Sequence, residues 1–173
     1  MVAVQNILLF VATASALAIG KRDASTILSD ISTIDSDVKA LTSALNSYSG
    51  GLFGALPINT AESNLDDAIN QGTKDAQATT QQDSADSQMV ITAINNLIPD
   101  IEAALTATEN KKSQLAAAGL TSTIQGDLKT LKTDTDSFSD ALIAIASSDT
   151  VAQGTSQKAT IDADFTSAIN DFA

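Results

Sequence analysis

The sequence predicts an all-α protein, a single five-helix antiparallel bundle, and three observations carry that expectation. Bulky apolar residues recur at alternating steps of four and three along most of the chain, which aligns them on one face of an α-helix. Only 2 prolines interrupt the 173 residues, and proline is the strongest breaker of a helix. Cys is absent, so no disulfide framework stands in for a packed core. Composition by itself decides less. Beyond Arg22, 34 Ile, Leu, Val and Phe stand among 151 residues beside 24 Ala and 37 Ser or Thr, a bulky share close to the ~20% below which a highly charged chain stays disordered. Order must therefore come from pattern, and a chain of this length with short connections builds one core.

Residues 1–20 carry no charged side chain, whereas all 21 acidic residues follow Arg22. The run Ile7-Leu8-Leu9-Phe10-Val11-Ala12 leads to Ala16-Leu17-Ala18, the small-x-small end of a cleaved signal peptide. A membrane anchor is the rival, but a run broken by Thr13 and Ser15 is short against the ~20 residues a bilayer needs. Residues 1–18 read as the signal. Residues 19–22 read as a short pro-segment, because Lys21-Arg22 resembles a dibasic processing site; an ordinary solvated pair is the alternative. Residues 23–173 are then one helical domain with 7 Lys, 21 acids and no Arg, a charge of -14.

Helix one, residues 24–47, places Ile27, Ile31, Ile34, Val38, Leu41, Leu45 and Tyr48 on one stripe and stops at Gly50-Gly51. A stretch opening at Pro57 runs to Ile98. The stripe Ile94, Ile98, Ile101, Leu105, Leu115 keeps its spacing across Pro99, which could kink one helix but reads as the start of another. Ala118-Gly119-Leu120 predicts a Schellman stop, with Lys111 and Lys112 near a helix's negative end. Two further stripes follow, Ile124, Leu128, Leu131, Thr135, Phe138, Leu142, Ile145 and then Val151, Gly154, Lys158, Ile161, Phe165, Ala168, Phe172. Ser122 with Gln125, and Thr150 with Gln153, have capping-box spacing.

Two anomalies point beyond folding. From Asn70 to Gln88, 19 consecutive residues lack Val, Ile, Leu, Met or an aromatic, although Leu65, Ile69, Val90 and Ile94 share a face with Gly72, Ala76, Thr79, Asp83 and Ser87. Read as helix, that is about 28 Å of small or hydroxylated surface. A solvated edge, a close helix approach and a space left for a long apolar ligand all fit. The loop Gly50-Gly51-Leu52-Phe53-Gly54-Ala55-Leu56-Pro57 is apolar, so its large side chains either tuck into the bundle end or form an exposed patch.

The inventory excludes much chemistry. Without His or Cys there is no Ser-His triad, no thiol nucleophile and no zinc site of the usual N/S type. Asp134, Asp136 and Asp140 superficially match a calcium loop, but Phe138, Ser139 and Ile145 occupy positions that need an oxygen ligand, a glycine and a closing Glu. Asp83 and Asp86 share a helical face that reads as solvated surface. We therefore expect no enzyme, no catalytic residue, no metal and no cofactor. The acidic charge argues against nucleic acid.

Taken together, the Ala16-Leu17-Ala18 end, Lys21-Arg22, the Ile27 to Leu41 stripe, the glycine-rich loop, Ile98-Pro99-Asp100-Ile101, Lys111-Lys112 and the Asp127-Leu128, Leu131-Lys132, Thr135 pattern resemble the fungal hydrophobic surface-binding protein A family, also called cell wall galactomannoproteins. The resemblance spans the whole chain. It implies a secreted all-helical domain, extracellular or in the cell wall, that adsorbs to hydrophobic solid surfaces or encloses long-chain fatty acids. It weights the helix-two anomaly toward a lipid tunnel walled by Ile34, Val38, Ile69, Gly72, Ala76, Thr79, Ser87, Val90, Ile94, Leu128, Leu131, Phe138 and Phe165. Leu52, Phe53 and Leu56 would form the surface-contact loop.

Some relatives continue into a Ser/Thr/Pro-rich stalk and a lipid anchor; ending at Phe172-Ala173, this chain is expected to be soluble or loosely wall-associated, without a transmembrane anchor. Head-group contacts should be neutral, from hydroxyls or from Gln77, Gln81, Gln82 and Gln88, with the tail driving capture. The alternative is an O-glycosylated structural wall mannoprotein without a dedicated ligand, in contact with wall polysaccharide. No Asn-x-Ser/Thr sequon occurs, so its sugar would be O-linked.

Overall fold

A computed structural model describes residues 16–173, with side chains from Ala24 onward. The signal-peptide reading falls largely outside these residues, as do the side chains of Lys21 and Arg22. The described chain is all-α, with six α-helices and one 3-10 turn: α1 (Ala16–Ser47), the turn Phe53–Ala55, α2 (Leu56–Ala78), α3 (Ser84–Asn110), α4 (Lys112–Ala117), α5 (Thr121–Ile145) and α6 (Val151–Asp171). Five helices are long and α4 spans only 6 residues. Among the described residues no helix is long and apolar enough to cross a membrane.

The predicted stripe of α1 is buried at every position from Ile27 to Tyr48. Its exposed faces are rich in hydroxyl residues, which weaken helices by competing for backbone groups. Here they fold back: Thr33 and Ser36 each donate to the carbonyl four residues earlier, at 3.0 Å, and Thr108, Thr133 and Thr155 do the same elsewhere. Gly50 (φ 116°) and Gly51 (φ 79°) then turn the chain through backbone conformations that side chains resist. The Schellman stop is present. Leu120 N–H donates to Leu115 O and Gly119 N–H to Ala116 O, both at 2.9 Å, with Gly119 at φ 75°.

Pro99 does not begin a helix. It lies inside α3 on an exposed position, where the carbonyl it leaves unpaired can bond water, while Ile94, Leu97, Ile101 and Leu105 hold the buried face continuous on both sides. The break falls instead at residues 79–83, inside the stretch without bulky side chains. Thr79 is extended (φ -88°, ψ 142°) and Asp83 caps α3, its Oδ1 accepting from Asp86 N–H at 2.9 Å. The 70–88 segment is thus a helix end, a crossover and a helix start. Neither predicted capping box forms: Ser122 lies within α5, and the Thr150 hydroxyl donates back to Ser147 O at 3.0 Å.

The long helices close into a ring. α1 packs on α2 and α3, α2 on α5, α5 on α6, and α6 on α3, so each long helix has two neighbours and none crosses the middle. Direction follows from contacts at the ends. Lys111, just past α3, donates to Asn46 O and Tyr48 O at the end of α1, and the next residue, Lys112, sets its ammonium over the Phe172 ring at the end of α6. At the opposite end Ser147 N–H, after α5, donates to Ser87 Oγ near the start of α3. Hence α1, α3 and α6 run one way and α2 and α5 the other. With these directions the ring is antiparallel at the α1–α2 and α5–α6 seams and parallel at the other three, rather than antiparallel throughout.

Candidate lipid-binding site

The middle of the ring is not completely filled. One cavity of about 60 Å³ is walled by α1, α2, α3, α5 and α6 together, and a second of about 40 Å³ continues it toward the end where residues 79–83 cross. Ile94, Ser139 and Ile161 line both, so the two form one interrupted lumen. The walls are mostly aliphatic. Thr108, in the larger cavity, spends its hydroxyl on Ala104 O at 2.8 Å and presents its methyl side.

Of the residues expected to line a tunnel, Ile34, Val38, Ile69, Leu128, Leu131, Phe138 and Phe165 wall the larger cavity, Ser87 and Val90 the smaller, and Ile94 both. Gly72, Ala76 and Thr79 line neither. Gly72 serves a close approach between helices: a Cβ there would meet the Phe138 ring at 3.0 Å and the Asp30 Cβ at 3.4 Å. Ala76 is fully buried and Thr79 ends α2. Bulk is withheld from α2 so that it can lie against α1 and α5, and the lumen is enclosed by residues facing it from all five helices.

Of the polar end of the smaller cavity, formed by Gln82, Ser87, Thr150, Gln157 and Lys158, sequence reasoning named Gln82 and Ser87 and missed the other three. Residues 79–83 join α2 to α3, which are not neighbours, so this connection passes over the end of the ring. Gln82 N–H donates to Ile145 O at 2.7 Å and pins the crossing to the end of α5. Gln157 Nε2 donates to Ile91 O and Asn95 Oδ1, both at 2.8 Å. Lys158 pairs with Asp140 at 2.5 Å and Asp136 at 3.8 Å, and the Asp140 bond holds its ammonium above the usual lysine range. Asp149 accepts from Ser147 Oγ at 2.5 Å and Ser84 Oγ at 2.6 Å, which hold its carboxyl below the usual carboxylate range. Gln77, Gln81 and Gln88 are exposed; Gln82 alone of the four expected amides is buried.

At the other end the apolar loop does not tuck in. Leu52, Phe53 and Leu56 are 62%, 85% and 58% exposed, while Tyr48 fills the bundle end with its hydroxyl near Gly51 O and Gln114 O. Three large apolar side chains therefore share one solvent-facing tip.

Residues 24–144 match the family described as Hydrophobic surface binding protein A. Cell wall mannoprotein 1 of Aspergillus fumigatus is 30% identical over 114 residues, which cover 66% of this chain and 39% of that protein; the chain spans about two fifths of this curated relative's length. Among solved structures, AfMp4p in complex with palmitic acid superposes with a TM-score of 0.85 at 41% identity, covering 87% of this chain and 99% of that one. Ligand binding domain 1 of the Penicillium marneffei MP1 protein, complexed with arachidonic acids, shares the fold at 13% identity, with a TM-score of 0.83 over 88% of this chain and 99% of that one. On the strength of the family match, this chain belongs to the hydrophobic surface binding protein A family.

Proposed function

We propose that this chain is a secreted fungal wall or extracellular binding protein, without enzymatic activity, that encloses the tail of a long-chain fatty acid in the lumen of its helix ring. The observation that carries the reading is the lumen itself, an apolar space bounded by all five long helices and running through two adjoining cavities. Its present size is well short of the ~300 Å³ at which small-molecule pockets begin. Seating a tail therefore widens the ring, with apolar burial offsetting the cost. The fold shared with AfMp4p, whose structure holds palmitic acid, supports the same reading. The exposed tip of Leu52, Phe53 and Leu56 supports a second activity of the same protein, adsorption to hydrophobic surfaces. The mature domain on this reading starts at Asp23.

Ser139 tests the lumen because it lines both cavities and is only half-buried. Ser139→Phe fills the junction without removing an apolar contact, and it should lower affinity for a fluorescent fatty acid at least about tenfold while the melting temperature changes by a few degrees. Unchanged affinity would remove the lumen as the binding site. Native mass spectrometry of the secreted protein separates this reading from a purely structural mannoprotein, since a bound acyl mass and a hexose ladder are different signals.

A further inference from the structure

Within the proposed lipid site, the polar end of the lumen carries a feature that tail burial does not explain. Gln82 is 7% exposed, lines the smaller cavity, and its Oε1 finds no hydrogen-bond partner among the described residues. The amide cannot be turned round at no cost, because Nε2 donates to Thr80 O at 3.2 Å and a reversed amide would set two oxygens against each other. A buried carbonyl oxygen without a donor is costly, and here it belongs to the connection that covers the lumen.

The surroundings disfavour an anion. Among the described side chains on the elements that converge at this end, the charged ones are Asp30 on α1, Lys74 and Asp75 late in α2, Asp83 and Asp86 at the start of α3, Asp136 and Asp140 on α5, Asp149 after it, and Lys158 on α6. Acids outnumber bases, and Lys158, the one cation lining the cavity, is already paired with Asp140 and Asp136. We infer that the site, read as a lipid site, selects a long-chain lipid whose head group is neutral and donates an O–H, a protonated carboxylic acid or a primary alcohol, with Gln82 Oε1 as the acceptor. The chain thus takes a fatty acid in its acid form and discriminates against esters, which have no donor.

The test uses the whole secreted protein and three probes of equal chain length: palmitic acid, hexadecanol and methyl palmitate. Hexadecanol should bind about 5- to 10-fold more tightly than the ester, the value of one neutral hydrogen bond. The affinity of palmitic acid relative to hexadecanol should fall about tenfold per pH unit above the acid's own pKa, because one proton is taken up with the ligand; the alcohol cancels the protein's own titrations. Gln82→Leu should erase the alcohol-over-ester preference, and the wild-type series decides the matter if that variant does not fold. Equal binding of alcohol and ester, or a pH-independent acid-to-alcohol ratio, overturns the head-group assignment and leaves the lumen intact as a tail site. Failure of all three probes to bind overturns the lumen reading with it.

Discussion

Residues 48–55 join α1 to α2 through a glycine-rich, apolar loop, and residues 79–83 join α2 to α3 through Thr-Thr-Gln-Gln-Asp at the opposite end of the ring. Polarity alone would bury the first and expose the second. The reverse holds at their key positions: Phe53 faces solvent, while Gln82 is buried and held by Ile145 O. The difference teaches that the two ends answer to different demands. At the tip, burial of three large side chains, each capable of contributing roughly 1.5–3 kcal/mol, is forgone, which a fold alone has no reason to do. At the lid, a polar side chain is buried with an acceptor unsatisfied, a cost that also has no folding rationale.

The largest effect comes from destroying the ring that keeps the ends apart. Leu131 is buried on α5 and lines the larger cavity; Leu131→Asp should cost roughly 4 kcal/mol and abolish cooperative unfolding, as read by far-UV dichroism during a melt. A wild-type melt would contradict the assignment of that face. Next comes the tight seam where α2 meets α1 and α5. Gly72→Leu drives a side chain into Phe138 and Asp30 and should lower stability by about 1–3 kcal/mol, a denaturant midpoint shift with unchanged slope.

A smaller effect is electrostatic and acts through α2, the helix that connects tip to lid. Asp30 is pushed up to about 6, by burial first and then by Asp75 beside it; Asp134 is likewise pushed up to about 6, by burial first and then by Asp66. A raised carboxyl binds its proton more tightly when folded, so its contribution is fully present below pH ~4 and is lost as pH rises through about 6. The melting temperature should therefore rise on going from pH 7 to pH 5, and Asp30→Asn with Asp134→Asn should flatten that rise. The smallest effect on stability, within about 0.5 kcal/mol, is expected of Leu52→Ser, Phe53→Ser and Leu56→Ser combined. The same triple variant should lose adsorption to a hydrophobic solid and keep fatty-acid affinity, which would separate the two ends cleanly; loss of both activities together would merge them.

Much of the ring was legible because a periodic stripe constrains a helix regardless of its neighbours. The α1 stripe and the Gly119 stop needed only local chemistry, and the buried faces of α1 and α5 that border the lumen are periodic stripes, whereas Gly72, Ala76 and Thr79 on α2 border neither cavity. Pro99 was misread because its cost depends on whether the carbonyl four residues back meets water or protein, which the sequence does not display. The stretch lacking bulk was ambiguous for a related reason: a tight seam at Gly72 and a crossover at residues 79–83 both dispense with large side chains. A local signal did exist in Asp83 and Asp86, a helix-start pattern at the right spacing. Gln82 offered none, since its burial is imposed by α5 and α6 from more than sixty positions away.

The ring also sets an order of assembly. The α1–α2 and α5–α6 seams join helices adjacent in the chain and can form as hairpins at little loop-closure cost. The other three seams are non-local: Gln157 reaches Ile91 and Asn95 across 66 and 62 residues, Lys111 reaches Asn46 and Tyr48 across 65 and 63, and Gly72 on α2 lies against Phe138 on α5. Such non-local pairing is what slows a fold whose individual helices are fast. Joining the helices across these three seams is therefore the expected slow step, and α6, the last helix in the chain, is the one that completes the ring. Without α6 the four preceding long helices leave an open trough rather than a tube, so on the proposed function an apolar chain would be laid in from the side during folding rather than threaded in through either end afterwards.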